Sequence, residues 1–115
     1  METKFIEFQN VLNNFGGDLD LLRDTIALSL KYIPQHMEKV RGAVANQNAK
    51  DLEISAHTIK GSLSIYLYKP IVQTAFELEK IGRSGDFQSA QLMLGNLESQ
   101  LTNFTHELQA FAANN

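Results

Sequence analysis

Apolar residues recur every three or four positions along almost the whole chain, which is the spacing of one face of an α-helix. No alternating run of apolar and polar residues bounded by turn residues predicts a strand, and only two prolines interrupt the pattern. The links between the helical segments are short, so consecutive helices are expected to be antiparallel neighbours. The sequence therefore predicts an all-α fold, an up-and-down antiparallel four-helix bundle with an additional short N-terminal helix.

Glycine, proline and capping residues mark the expected ends of these helices. In chain order, the predicted helices are a short one before Gly16-Gly17, a long one after Asp18 that contains Pro34, one from about Ala49 to Leu67, one opened by Pro70 and closed near Gly82 to Gly85, and a last one from Phe87. Pro34 removes one backbone donor, so we expect a kink near residues 30–33, or two helices that meet there.

Composition limits the classes of protein to which the chain can belong. Its 115 residues, 43% of them hydrophobic, fit a single domain over residues 1–115 and leave no length for a second catalytic module. The lack of cysteine excludes disulfides and thiolate metal sites and favours the cytoplasm. A net charge of −3 without a basic run argues against nucleic acid as a partner.

No segment of the sequence is typical of membrane insertion or export. Residues Met1 to Phe15 include Glu2, Lys4 and Glu7 and lack a continuous apolar run, so no signal peptide is expected. No stretch reaches the roughly eighteen apolar residues that a membrane-spanning helix needs. No membrane partner is therefore expected. Because a closed bundle completes its own core, the chain is expected to be a monomer.

The third predicted helix places a histidine on its outer face. Its buried stripe consists of Leu52, Ala56, Ile59, Leu63 and Tyr66. A different face carries Glu53, His57, Lys60, Gly61 and Ser64. Taken alone, an exposed histidine is most often a solvated polar residue. Its neighbours on the helix point to a more specific role.

Gly61 lies one turn beyond His57, where no cap or kink requires a glycine. A glycine inside a helix costs about 1 kcal/mol relative to alanine. The missing side chain clears space beside the imidazole, and Ser64 has only a short side chain on the next turn of the helix. The backbone of another protein can therefore approach the ring. We therefore interpret this face as a docking site for a partner protein.

Charged residues near His57 suit a phosphoryl group. The ammonium of Lys60 would attract a group that carries close to two negative charges at neutral pH. A histidine of ordinary pKa is largely neutral in the cell, so one ring nitrogen retains a nucleophilic lone pair.

A residue on the fourth predicted helix is expected to orient the imidazole. His57 and Glu79 lie eleven residues on either side of Tyr68 in the hairpin turn, so they should sit at equal height on adjacent helices. Glu79 would then accept a hydrogen bond from the imidazole and direct the other nitrogen outward. Arg83 follows one turn later and has two possible roles. Its positive charge is directed toward the phosphoryl group, or it is a cation in the last turn of the helix, where the helix dipole favours positive charge.

The run Ala56-His57-Thr58-Ile59-Lys60-Gly61-Ser62 resembles the signature of histidine-containing phosphotransfer (HPt) domains, Ala-His-x-Leu-Lys-Gly followed by Ser or Ala. The resemblance extends to Leu78-Glu79, to Gly82-Arg83-x-Gly85-Asp86, to Gly17-Asp18 and to the helix that contains Pro34. It thus covers nearly the whole chain.

The resemblance implies a phosphorelay protein with His57 phosphorylated at its outer ring nitrogen, Lys60 near the phosphoryl group and Glu79 bonded to the imidazole. Gly61 matches the family's clearance position, and Glu53, Ser64 and Arg83 are expected to contact the partner. The partners implied are receiver domains of response regulators or of a hybrid sensor histidine kinase. The chain lacks nucleotide-binding loops, so we expect a phosphocarrier without autokinase activity. We also expect it to need no cofactor, the divalent metal being on the partner receiver.

Two positions depart from the family pattern. Many members have a small residue where this chain has Leu63, and a glycine near the helix end where it has Leu67. Leu63 falls on the predicted buried stripe and should affect packing more than chemistry. Leu67 bears on the geometry of the helical hairpin.

Two other functions are open at this point. In the first alternative, the same face belongs to a bundle that no longer transfers phosphoryl groups and serves as a docking or sequestering module. A metal or hydrolase site built from His36, His57 and His106 is the second alternative, although the three lie on different predicted helices without the usual zinc-ligand spacing.

Overall fold

The computed structural model describes residues 5–115 and consists of five α-helices over that range. They are α1 (Phe8–Asn14), α2 (Leu19–Ala45), α3 (Ala49–Ser64), α4 (Lys69–Ser84) and α5 (Phe87–Asn114). α2 packs against α3 and α5, and α4 packs against the same two helices, so the four long helices close a ring. The predicted four-helix bundle with an extra N-terminal helix is confirmed. Residues 1–4 lie outside the described residues; they include the start of the predicted domain and Glu2 and Lys4, two of the charged residues that argue against a signal peptide.

Local sequence signals set most of the helix ends. The Asp18 carboxylate accepts a hydrogen bond from the Leu21 amide at 3.0 Å, which confirms the predicted N-cap of α2. Gly85 ends α4 in the left-handed conformation, with φ of 77°. Such a conformation suits glycine because it has no Cβ.

Two helix boundaries and the interruption at Pro34 differ from the sequence prediction. α2 continues through Pro34 as one helix, since Ile33 and Met37 on either side are buried and tertiary packing outweighs the lost backbone bond. α3 ends at Ser64 rather than at Leu67, which adopts a φ of 62° that a right-handed helix does not allow. α1 begins only at Phe8, so Phe5, with which the apolar spacing of the predicted first helix begins, lies before it.

The N-terminal segment is fastened to the end of the bundle. The carboxylate of Glu107 accepts hydrogen bonds from the backbone amides of Phe5 and Ile6, the latter at 2.8 Å. The ring of Phe5 stacks on Tyr68 at 4.5 Å, which explains why this apolar residue is anchored although it precedes the helix.

A polar contact lies within the apolar packing between α2 and the end of α3. The hydroxyls of Ser29 and Tyr66 lie 2.6 Å apart, both buried between α2 and the end of α3. The Tyr66 ring also packs edge-on against Phe104 at 5.6 Å. Leu63 is fully buried, as its place on the predicted stripe requires.

Within residues 5–115, no helix combines the length and hydropathy that crossing a bilayer demands.

Candidate functional site

His57 stands on the outer face of α3, as the sequence predicts. Its side chain is 68% exposed, and its Nδ1 atom lies 3.2 Å from Oε1 of Glu79 on α4. Because an ionised carboxylate can only accept, the bond requires a proton on Nδ1. In the neutral ring the lone pair is then on Nε2, the other ring nitrogen.

Glu79 is a buried carboxylate surrounded by three donors. Its side chain is only 2% exposed, and it contacts His57, the Lys60 ammonium at 2.7 Å and the Arg83 guanidinium. Burial acts to raise the pKa of Glu79, but hydrogen bonds from Lys60 and His57 and the positive charge of Lys60 outweigh it, and the pKa falls below its usual value. Glu79 therefore remains charged and fixes the imidazole orientation.

Lys60 and Arg83 are held by carboxylates. Lys60 is bonded to Glu79 on the side of the imidazole toward the hairpin turn. Arg83 places Nε 2.8 Å from Oε2 of Glu53 and also reaches Glu79, so it bridges α3 and α4. Arg83 lies in the last turn of α4, and its guanidinium contacts the carboxylate of Glu79 that orients the imidazole, so both sequence interpretations of this residue stay predictions. Its partner Glu53, which was expected to contact another protein, is engaged within the chain.

The register of the α3–α4 hairpin produces these pairs. Glu53 and Arg83 each lie fifteen residues from Tyr68, and His57 and Glu79 each lie eleven. Both pairs are in contact across the two antiparallel helices, which confirms the equal-height prediction. The turn at residues 65–68 therefore decides which side chains face each other.

Gly61 leaves open space one turn from His57. A Cβ atom built there would meet no neighbouring atom within 4 Å. Ser64 is exposed, and its hydroxyl donates to the Gly61 carbonyl at 2.8 Å, which keeps this short side chain close to the helix. The open space that the sequence predicts beside His57 is therefore present in the structure.

Gly82 plays a part that the sequence prediction missed. It was interpreted with Gly85 as a helix stop, but it lies inside α4 and is buried against α3. A Cβ at Gly82 would lie 2.5 Å from the backbone nitrogen of Glu53. The glycine thus permits the close approach of α3 and α4 beside the ion pairs. A glycine three residues before a better stop signal was the available clue.

The sequence prediction also missed an exposed apolar face between α2 and α3. Leu28 and Tyr32 on α2, and Ile54 and Ile65 on α3 or its C-cap, are exposed large hydrophobic residues. They line two shallow grooves that both include His36. Apolar residues that fall outside the buried stripes were the signal for this face.

The three histidines do not form a metal site. His36 lies in the α2–α3 grooves, whereas His106 lies on α5 beside the N-terminal segment. Within residues 5–115, no group of three or more His, Asp or Glu side chains is arranged to hold a metal ion. The geometry gives the metal alternative no support.

Comparisons with known proteins concern the family and the fold of this chain. A family model described as the Hpt domain matches residues 24–113. The fold is similar to that of histidine-containing phosphotransfer protein B (HptB) from Pseudomonas aeruginosa PAO1, with a TM-score of 0.89 and 15% sequence identity over 99% of each chain. At that identity the likeness concerns the fold. A comparison with curated protein sequences found no match.

Proposed function

This chain belongs to the Hpt domain family, and from that premise we propose that it accepts a phosphoryl group on His57 from the aspartate of a receiver domain and passes it to another receiver or back. The observation that carries the proposal is the exposed imidazole whose Nδ1 is bonded to the buried carboxylate of Glu79. This bond leaves Nε2 as the nucleophilic nitrogen.

The proposed step is a displacement at phosphorus. The Nε2 lone pair attacks the phosphorus of the partner's aspartyl phosphate, and the bond between phosphorus and the carboxylate oxygen breaks. The aspartate leaves with that electron pair, and no proton has to move. The ring then carries a positive charge, with its Nδ1 proton bonded to the Glu79 carboxylate, which stabilises that charge. Reversal of the same step returns the group to an aspartate.

Lys60 is the cation nearest in sequence to the phosphorylated ring. Its ammonium is bonded to Glu79 next to Nδ1, one turn of helix from His57, and a negative phosphoryl group on Nε2 would attract it. We propose that this chain supplies the nucleophile and one cation, while the partner receiver supplies the divalent metal. The chain then acts as a phosphocarrier without autokinase activity.

We assign the receiver's docking surface to two areas beside His57. Gly61 and Ser64 form the cleared side, where a partner's backbone can approach the ring. The apolar face with Ile54 and Ile65 lies on the other side of α3 and has the exposed large side chains that protein interfaces use. Glu53 and Arg83 form the rim on the α4 side.

The test is transfer from purified receiver domains of the same genome, loaded with acetyl phosphate and magnesium. We expect at least one receiver to lose its label to this chain within seconds to minutes, and we expect no labelling from ATP alone. If every receiver binds the chain and none transfers to it, the chain is a docking module. Labelling by ATP alone would contradict the phosphocarrier assignment.

A further inference from the structure

Lys60 occupies a confined position for a surface lysine. Its side chain is only 24% exposed, whereas lysine side chains are mostly solvated. The ammonium is bonded to Glu79 and lies 4.8 Å from the centre of the Phe76 ring on α4. Lys60 and Phe76 each lie eight residues from Tyr68, so the hairpin register that pairs His57 with Glu79 pairs these two residues as well.

Phe76 has no role in the buried core formed by the described residues. It is half-buried at the surface of α4, beside a shallow groove that also includes Lys60 and Gly61. An ammonium within about 6 Å of an aromatic face is attracted by the ring's quadrupole. The position of this ring is therefore explained by the lysine rather than by packing of the core.

We propose that Phe76 is a positioning residue that holds the Lys60 ammonium beside His57. This inference rests on the proposed function of His57. Without the ring, only Glu79 restrains the ammonium, and the flexible stem can carry it into solvent. With the ring, the ammonium stays next to the imidazole when a phosphoryl group arrives on Nε2.

Lys80 offers a matched control. Its ammonium lies 5.0 Å from the centre of the same Phe76 ring, but it is paired with Glu77 rather than with Glu79. Lys80 thus shares the aromatic contact without contacting the buried carboxylate. Its removal tests whether any cation on the ring affects transfer.

The experiment measures the initial rate of transfer from a phosphorylated receiver to variants at positions 60, 76 and 80. Phe76→Leu keeps the apolar cover but removes the quadrupole, and we expect transfer to slow by about threefold to tenfold. Phe76→Tyr should restore a rate within about twofold of the parent, and Lys80→Met should leave it unchanged. In a Lys60→Met background, Phe76→Leu should have no further effect, since Phe76 acts through Lys60.

Two rate outcomes would overturn the inference. One is a Phe76→Leu variant that transfers as fast as the parent. The other is an equal slowing by Phe76→Leu with and without Lys60, which would make Phe76 a contact to the receiver.

A second measurement separates this inference from the proposed function. In the unphosphorylated protein, NMR should show the Lys60 side-chain methylene protons shifted upfield by the ring current, and Phe76→Leu should abolish that shift. A Lys60 signal at the ordinary lysine position would overturn the inference even if transfer to His57 occurs. If the shift is present and transfer never occurs, the proposed function fails while the contact stands.

Discussion

At the scale of single residues, the buried carboxylate of Glu79 organises the site. It accepts hydrogen bonds from the side chains of His57, Lys60 and Arg83 and is almost completely removed from solvent. A buried charge is tolerated only where partners compensate for its lost hydration. The same carboxylate that orients the imidazole thus also links the chemistry of the site to the stability of the α3–α4 pair.

Glu79→Gln should reveal this link through the pH dependence of stability. The amide still accepts a bond from His57 but cannot neutralise Lys60 and Arg83, so the free energy of unfolding should fall by about 2 kcal/mol at neutral pH. The pKa of Glu79 is lowered on folding, so its contribution is present above the usual value of 4.5 and is lost as the pH falls through the lowered folded value. The difference between parent and variant should therefore shrink only below pH 4.5.

Urea unfolding at neutral pH and at successively lower pH measures this difference. Glu77→Gln is the control, because Glu77 lies on the same helix and pairs only with exposed groups, so its loss should matter little. A Glu79 difference that is the same at all pH values would contradict the assignment.

At the scale of helices, two features of the α3–α4 hairpin decide how the site is assembled. The turn sets the register, and Gly82 sets the distance between the helices. The sequence predicted both helices and the equal height of His57 and Glu79, but it did not predict the close approach of the helices at Gly82. For Gly82 the available clue was its place three residues before Gly85, and for Leu67 it was the glycine that many members of the resembled family have near this position.

Replacing each of two helical glycines by alanine should have opposite effects. Gly61→Ala adds a methyl group to open space and should stabilise the protein by about 1 kcal/mol through helix propensity. Gly82→Ala forces α3 and α4 apart and should destabilise it by about 2 kcal/mol despite the same propensity gain. Thermal and urea unfolding of the two variants provide the comparison. Equal stabilisation by both would show that the helices do not approach closely at Gly82.

The turn allows a second prediction at this scale. Leu67 has a φ of 62° and an exposed side chain, so Leu67→Gly should relieve backbone strain and raise the free energy of unfolding by about 1 kcal/mol. Gly85→Ala, at φ of 77°, should lower it by a similar amount. If Leu67→Gly destabilises the protein, the turn does not hold the left-handed conformation.

At the scale of the whole molecule, the sequence determines the bundle more completely than the site. The number and order of helices follow from apolar spacing, and the outward direction of His57 follows from its place opposite the buried stripe. The contacts of Arg83 and Phe76 were not predicted, because they also depend on how closely the two helices approach each other. The monomeric state stays a prediction.

The central claim is that His57 carries the phosphoryl group, and locating that group on the loaded protein tests it most directly. After incubation with a phosphorylated receiver, mass spectrometry under non-acidic conditions should find one phosphoryl group, on the peptide that contains His57. The group should be lost on acidification. The His57→Gln variant should remain unlabelled while its helical content and Tm stay close to those of the parent, since an exposed side chain contributes little to stability. An acid-stable label, or a label that persists in the folded His57→Gln variant, would contradict the account.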